Sequence, residues 1–272
     1  MEHRQVQVNG TELHVVLAGD GPPVVLLHGW PHTWFLWREV IAGLAPAHRV
    51  IAPDLRGVGG SARAAGGYDL HTLSGDVIGL LDVLGEEQAA VVGIDAGAPV
   101  AWMSAMRHGA RVSRLVVMEA LIGELPGAEE FGRPWWFGFH GVPGLAETVL
   151  EGREQPYLDW FLRGIGDRAR HEFVAAYTGR EALRCGFEYY RAMPRNAEQV
   201  AAAARRRLTT PTLAIAGGAV GTALHGQLLP IADDLRCVVV PDCGHLIPEE
   251  QPEALLGHLL PFLSTDEEGC QT

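Results

Sequence analysis

The 272-residue chain is expected to fold as an α/β protein: a mostly parallel sheet flanked by helices, interrupted by an inserted helical segment. Two observations lead there. Short apolar runs alternate with longer amphipathic ones, the rhythm of strands joined by crossover helices. That rhythm stops near residue 123 and resumes near residue 208.

Residues 5–8 and 12–17 read as a hairpin closed at Asn9-Gly10, a favoured pair for a tight turn. A buried strand follows at 24–27, then a helix over 32–44. The strand at 49–52 ends in the loop DLRGVGGS, residues 54–61. Residues 70–84 have helical spacing, 89–93 form a strand, and a helix over 96–108 follows it directly. Another strand is expected at 114–118. The stretch 123–207 is rich in aromatic residues (Trp135, Trp136, Phe137, Trp160, Tyr189, Tyr190) and reads as mostly helical. Strands return at 212–216 and 237–240. A last helix is expected from about 250 to 263, before a polar tail at 264–272.

This division gives a core from residues 1–122 and 208–272 and a helical cap from 123–207. An insertion between parallel strands must leave from a sheet end. At the carboxyl ends it roofs the crevice where ligands bind.

Composition excludes several classes. Apolar residues make up 47% and charged residues 20%, enough for a large core. The formal charge of −12 repels a polyanion, so no nucleic-acid partner is expected. The one basic run, Arg205-Arg206-Arg207, is expected at a solvated helix end. The amino terminus lacks the apolar stretch of a signal peptide, and no run of about 18 apolar residues exists to span a membrane. The cysteines Cys185, Cys237, Cys243 and Cys270 show neither metal spacing nor a disulfide framework. We expect a cytoplasmic protein with no cofactor and no metal. Its expected partner is a small-molecule substrate, and a homodimer is an allowed assembly.

The chemistry centres on Gly93-Ile94-Asp95-Ala96-Gly97. The segment follows an apolar strand and opens a helix, the context of a nucleophile elbow, with aspartate where serine usually stands. The turn is sharp, so small residues must flank the nucleophile. His28-Gly29-Trp30-Pro31 follows an earlier strand. The loop at that place gives one backbone N–H to an oxyanion hole, and the residue after the nucleophile gives the other. Here these donors are Trp30 and Ala96, while His28 reads as a brace for its own loop. His245, in PDCGHLIPEE, stands between the last strand and the last helix, the chain position of the base. The loop after 212–216 offers no carboxylate, whereas Glu119 directly follows 114–118. Glu119 is therefore the expected acid, with Glu124 and Asp242 as runners-up.

Together HGWP, DLRGVGGS, GIDAG, MEA and CGHLIPEEQPE resemble the epoxide hydrolase branch of the α/β-hydrolase family, over about residues 4 to 263. The resemblance implies an Asp95 ester that His245-activated water hydrolyses to a vicinal diol. It matches Tyr190, in FEYYRAMP, to the cap tyrosine that protonates the opening epoxide oxygen, with Tyr189 as the adjacent alternative. A second cap tyrosine usually precedes a segment like VPGLAE; Trp136 stands there instead. Trp has one N–H and no proton to give at neutral pH, so Tyr190 is left as the sole acid. Trp135, Trp136, Phe137 and Tyr189 then line an apolar, aromatic pocket.

An aspartate makes chemical sense at this elbow. Serine attacking saturated carbon would give an ether, which activated water cannot cleave; aspartate gives an ester, which it can. A haloacid or haloalkane dehalogenase with the same nucleophile is the alternative. Against it, Ala96 replaces the tryptophan usual after the haloalkane dehalogenase nucleophile, and the arginines that would hold a haloacid carboxylate are missing between Ala96 and Pro99. A non-catalytic ligand-binding protein on this scaffold is the other reading.

Overall fold

The computed structural model describes residues 1–264. Strands β1 (Glu2–Val8) and β2 (Thr11–Ala18) form the expected hairpin. Asn9 and Gly10 both take positive φ, 43° and 76°, as the tight turn between twisted strands requires. β3 (Pro23–Leu27) leads to a 3-10 turn over Trp34–Trp37 and helix α1 (Arg38–Leu44). The expected single helix over 32–44 is thus two pieces, because Thr33 Oγ1 accepts from the Phe35 N–H and caps the tighter turn first. β4 (Arg49–Pro53), α2 (Leu70–Leu84), β5 (Ala89–Ile94), α3 (Gly97–Arg107) and β6 (Val112–Met118) follow within a few residues of the sequence expectation.

Between β6 and β7 (Thr212–Ala216) the described residues hold six α-helices: α4 (Trp135–Gly141), α5 (Leu145–Leu150), α6 (Glu154–Phe161), α7 (Asp167–Ala176), α8 (Arg180–Arg191) and α9 (Met193–Ala203). After β7 come α10 (Ala223–Leu228), β8 (Leu235–Val239), α11 (Ile247–Glu250) and α12 (Pro252–Leu263). The expected last helix is broken at Gln251, whose φ of −141° is the extended backbone favoured before Pro252. The short α10 carries too little periodicity to be read in advance. Arg205, Arg206 and Arg207 lie past the end of α9, not on it. Arg207 donates to the carbonyls of Pro230 and Ala232 and pairs with Asp233, so it ties down a loop. Cys185, Cys237 and Cys243 are free thiols; Cys270 and the tail beyond residue 264 lie outside the described residues. No helix among the described residues is long and apolar enough to cross a membrane.

The eight strands run in the order β1-β2-β4-β3-β5-β6-β7-β8. β2 is antiparallel to both its neighbours; every pair from β4 to β8 is parallel. β5 and β7 are buried along their whole length, as strands covered on both faces must be. Ile94 pairs with Met118 at the carboxyl ends of β5 and β6, and the Asp95 N–H donates to Met118 O at 3.1 Å. Asp95 and Glu119 therefore leave the sheet side by side. The inserted helices leave from the same end.

Polar contacts dock this insertion onto the core. Asn196 and Gln199 of α9 accept from the N–H groups of Leu70 and His71, satisfying donors that the first turn of α2 leaves free. Gln199 also donates to the α2 cap residue Asp69 at 2.7 Å.

Candidate active site

The elbow is a place where backbone nearly touches backbone. A Cβ at Gly97 would lie 2.4 Å from Leu27 O, and one at Gly93 would lie 2.3 Å from Gly97 O. Only glycine lets α3 start this close to β3 and β5. Asp95 itself takes φ +52° and Glu119 takes +47°, a rare backbone for non-glycine residues that turns each side chain out of its strand line. A Cβ at Gly29 would lie 2.3 Å from the Asp95 side chain, so the HGWP loop also needs a bare backbone where it passes the carboxylate.

The two Asp95 oxygens have different surroundings. Oδ1 accepts from the Trp30 N–H at 2.8 Å, and the Ala96 N–H also hydrogen-bonds the carboxylate. Oδ2 lies 3.3 Å from His245 Nε2. On the other side of the ring, His245 Nδ1 is 3.2 Å from Glu119 Oε2, while Glu119 Oε1 accepts from the Gly217 N–H. Glu119 is buried and fully partnered. The loop after β7, which has no carboxylate of its own, thus contributes a backbone donor to the carboxylate from β6. Gly217 is glycine because a Cβ there would sit 2.1 Å from Gly244 O, in the loop that carries His245. That loop is held from below, since Glu250 accepts from the N–H groups of Gly244 and Leu246.

Charge completes the row. Burial opposes a cation at His245, but the Asp95 and Glu119 carboxylates outweigh it and push the imidazole up to about 10. Burial would raise Asp95, but His245 and the N–H groups of Trp30 and Ala96 hold it below the usual carboxylate range. The raised imidazole keeps its proton at neutral pH, between the side chains of Asp95 and Glu119. The runners-up for the acid are elsewhere: Glu124 pairs with Arg133 at the surface, and Asp242 is exposed. His28 braces its loop, donating from Nδ1 to Gly29 O at 2.8 Å and accepting the Leu55 N–H at Nε2.

Above the row lies an aromatic cluster centred on Trp30. Its indole meets Phe161 and His140 at 4.8 Å between ring centres, Tyr190 at 5.6 Å, Tyr177 at 6.1 Å and Phe187 at 6.4 Å. Helix α8 comes this low because residue 186 is glycine; a Cβ there would lie 2.7 Å from the Tyr177 ring. Tyr190 packs against Phe137 and His140 and lies within electrostatic range of Asp95. Burial, then the Asp95 charge, raise its pKa well above the ordinary phenol value, so it keeps its proton.

Tyr189 points elsewhere. One residue along a helix turns the side chain by about 100°, and its hydroxyl donates to Arg56 O at 2.8 Å. It serves to dock α8 on the core and is not part of the cluster around Tyr190. Trp135 is 58% exposed on the outside of α4 and packs on Trp136, Phe139, Tyr157 and Trp160. Trp136 is half-buried and meets Phe161 at 5.5 Å, one ring removed from Trp30. Of the four expected wall residues, Phe137 alone makes a ring contact with Tyr190 among the described residues.

Sequence reasoning missed His140, Tyr157, Phe161, Tyr177 and Phe187. His140 is fully buried, stacked on Phe187 at 4.2 Å and hydrogen-bonded through Nε2 to the Tyr157 hydroxyl. Burial, with help from Arg191, pushes its pKa down to about 3, so it is neutral. A usable signal was present: Phe187 and Tyr190 on α8, like Phe137 and His140 on α4, stand three apart and share a helix face.

Known proteins share this arrangement of elements. A family described as alpha/beta hydrolase fold matches residues 22–252. The chain is 32% identical to a soluble epoxide hydrolase of Corynebacterium sp. (strain C12), covering 96% of this chain and 97% of that protein. It is equally 32% identical to epoxide hydrolase A of Mycobacterium tuberculosis, over the same shares of the two chains. Among solved structures, wild-type Cfl2 from Burkholderia cenocepacia superposes with a TM-score of 0.89 at 34% identity, covering 96% of this chain and 95% of that one.

Proposed function

This chain belongs to the α/β-hydrolase fold family, in its epoxide hydrolase-like branch, and is a hydrolase; from that membership we propose that it opens an apolar or aromatic epoxide to a vicinal diol through a covalent ester on Asp95. The observation that carries the proposal is the division of labour at Asp95. Oδ1 accepts from the Trp30 N–H, while Oδ2 faces His245, and Tyr190 lies within electrostatic range of the same side chain.

In the first step Oδ2 attacks an epoxide carbon. The carbon–oxygen bond breaks, and the leaving oxygen takes the Tyr190 proton. Oδ1 becomes the ester carbonyl oxygen, already hydrogen-bonded to the Trp30 N–H.

The resting imidazolium then has a purpose. Two carboxylates hold the proton on His245, and esterification removes one of them. His245 can now yield its proton, which restores the bare Tyr190 oxygen. The neutral imidazole takes a proton from water, and the hydroxyl adds to Cγ of the ester. Charge grows on Oδ1, against the Trp30 N–H that it accepts. Collapse of this adduct expels the diol oxygen, which takes the hydroxyl proton, and leaves Asp95 as carboxylate beside a protonated His245. Glu119 holds the ring in place throughout. The aromatic lining over Asp95 supports an apolar ring or chain as the body of the substrate.

The test uses styrene oxide and bromoacetate side by side. The reading expects phenylethanediol from the first and no bromide from the second. Asp95→Ala should reduce diol formation by roughly 10⁴-fold or more. Undiminished diol formation by Asp95→Ala would overturn the proposal, and bromide release would favour a dehalogenase.

A further inference from the structure

His32 follows Pro31 in the loop that supplies the Trp30 N–H. Its backbone is fixed at both ends: the N–H donates to Gly29 O at 3.0 Å, and the carbonyl accepts the Tyr177 hydroxyl at 3.1 Å. The ring is 2% exposed and stands edge-on to Phe173 of α7 at 5.0 Å. Neither ring nitrogen has a hydrogen-bond partner among the described residues. Every other titratable group at the base of the site is partnered: His28 through both nitrogens, Glu119 through both oxygens, Asp95 by backbone and by His245. Buried polar atoms are nearly always satisfied, so a ring with two free nitrogens calls for a small polar partner.

Its position says which one. His32 lies within electrostatic range of Asp95, His245 and His28, and burial pushes its pKa down to about 3. A neutral imidazole offers one donor and one acceptor. Water both donates and accepts, so it is the smallest molecule that can complement either nitrogen. Phe173 and Tyr177, which meet His32 by ring edge and by hydrogen bond, are themselves buried.

We propose that His32 is a positioning residue for the second half-reaction: its ring holds the water that His245 deprotonates for attack on the Asp95 ester. His32 exchanges no proton. One water proton goes to His245 Nε2, and the oxygen bonds to Cγ of Asp95. The inference rests on the aspartyl-ester mechanism above, and it separates the two halves of that reaction. Losing His32 should leave ester formation intact and slow ester hydrolysis.

The experiment is single-turnover kinetics with styrene oxide, following the protein adduct by rapid quench and intact mass. In His32→Phe, which keeps a flat ring and removes both nitrogens, adduct formation should stay within about twofold of wild type. Adduct decay should slow by tenfold or more. His32→Gln, which retains a donor and an acceptor, should recover much of the decay rate; a packing role alone would show no such recovery. His32→Leu replaces His32→Phe if the latter does not fold. Wild-type decay in the apolar variant, or an equal loss in both steps, would overturn the proposal. His245→Gln serves as the control. If it accumulates adduct while the His32 variant decays normally, only the His32 role fails. If no variant forms adduct, the ester mechanism itself fails.

Discussion

The base of the site and its roof are built by different means. At the base, Asp95 and Glu119 directly follow β5 and β6, His245 lies in the loop after β8, and backbone fixes each of them. Asp95 and Glu119 take positive φ, and Gly29, Gly97 and Gly217 stand where any side chain would collide. In the roof, Tyr190, His140, Phe161 and Phe187 are set by ring against ring, with one hydrogen bond, His140 to Tyr157, tying α4 to α6. A base made of backbone constraints tolerates few sequences and holds charges in register. A roof made of ring packing can be recut by exchanging side chains, which suits a surface that selects substrates.

The sharpest way to break this comparison is to remove the roof hydroxyl to which the proposed mechanism assigns proton donation. Tyr190→Phe should lower the rate of ester formation by roughly 10³-fold while leaving the fold intact, since no described residue hydrogen-bonds its hydroxyl. Normal ester formation in that variant would make the roof a passive wall. A smaller effect is expected at the base from Glu119→Gln. It keeps the side-chain shape but removes one of the two charges that raise His245, so steady-state turnover should fall by roughly 10²-fold. The imidazole should titrate below the value of about 10 that it has in the intact row. Proton NMR of the ring reads that shift directly.

The same charge row predicts a pH dependence of stability. The His245 pKa is raised in the fold, so its contribution is complete below the unfolded value of about 6.5 and is lost as pH rises through about 10. The melting temperature should decline from pH 7 to pH 10, and His245→Gln should flatten that decline. The smallest effect belongs to the outer roof. Trp135→Ala should change kcat/KM by less than about twofold, because that ring packs on the outside of α4 and is largely in solvent. A tenfold loss would mean that the outer tryptophans meet substrate.

The same contrast explains what could be read in advance. β5 with its Gly-x-Asp-x-Gly turn, the HGWP loop and the CGHLIPEE loop were legible because sharp turns leave a residue code. Their glycines and prolines mark where backbone must bend or approach closely. Glu119 was legible by position, because the loop after β7 has no carboxylate. The roof was not legible at the same level. Trp135 and Trp136 are adjacent large aromatics and read as a wall, yet helical geometry turns one of them to solvent. Tyr189 and Tyr190 could not be separated until Arg56 O was seen to accept the Tyr189 hydroxyl. His140 looked like any other histidine, since the partner that fixes its ring, Tyr157, is 17 residues away on another helix. Short α10 and the break at Gln251 were missed because a helix of one or two turns shows little periodicity.

The account turns on whether the carboxylate at the β5 turn becomes an ester. The direct measurement is intact and peptide mass spectrometry of His245→Gln after exposure to styrene oxide. The account predicts a stable gain of one epoxide mass, on the peptide that contains Asp95 and lost when Asp95 is also replaced. An unmodified protein that still makes diol, or an adduct on any other residue, would contradict it.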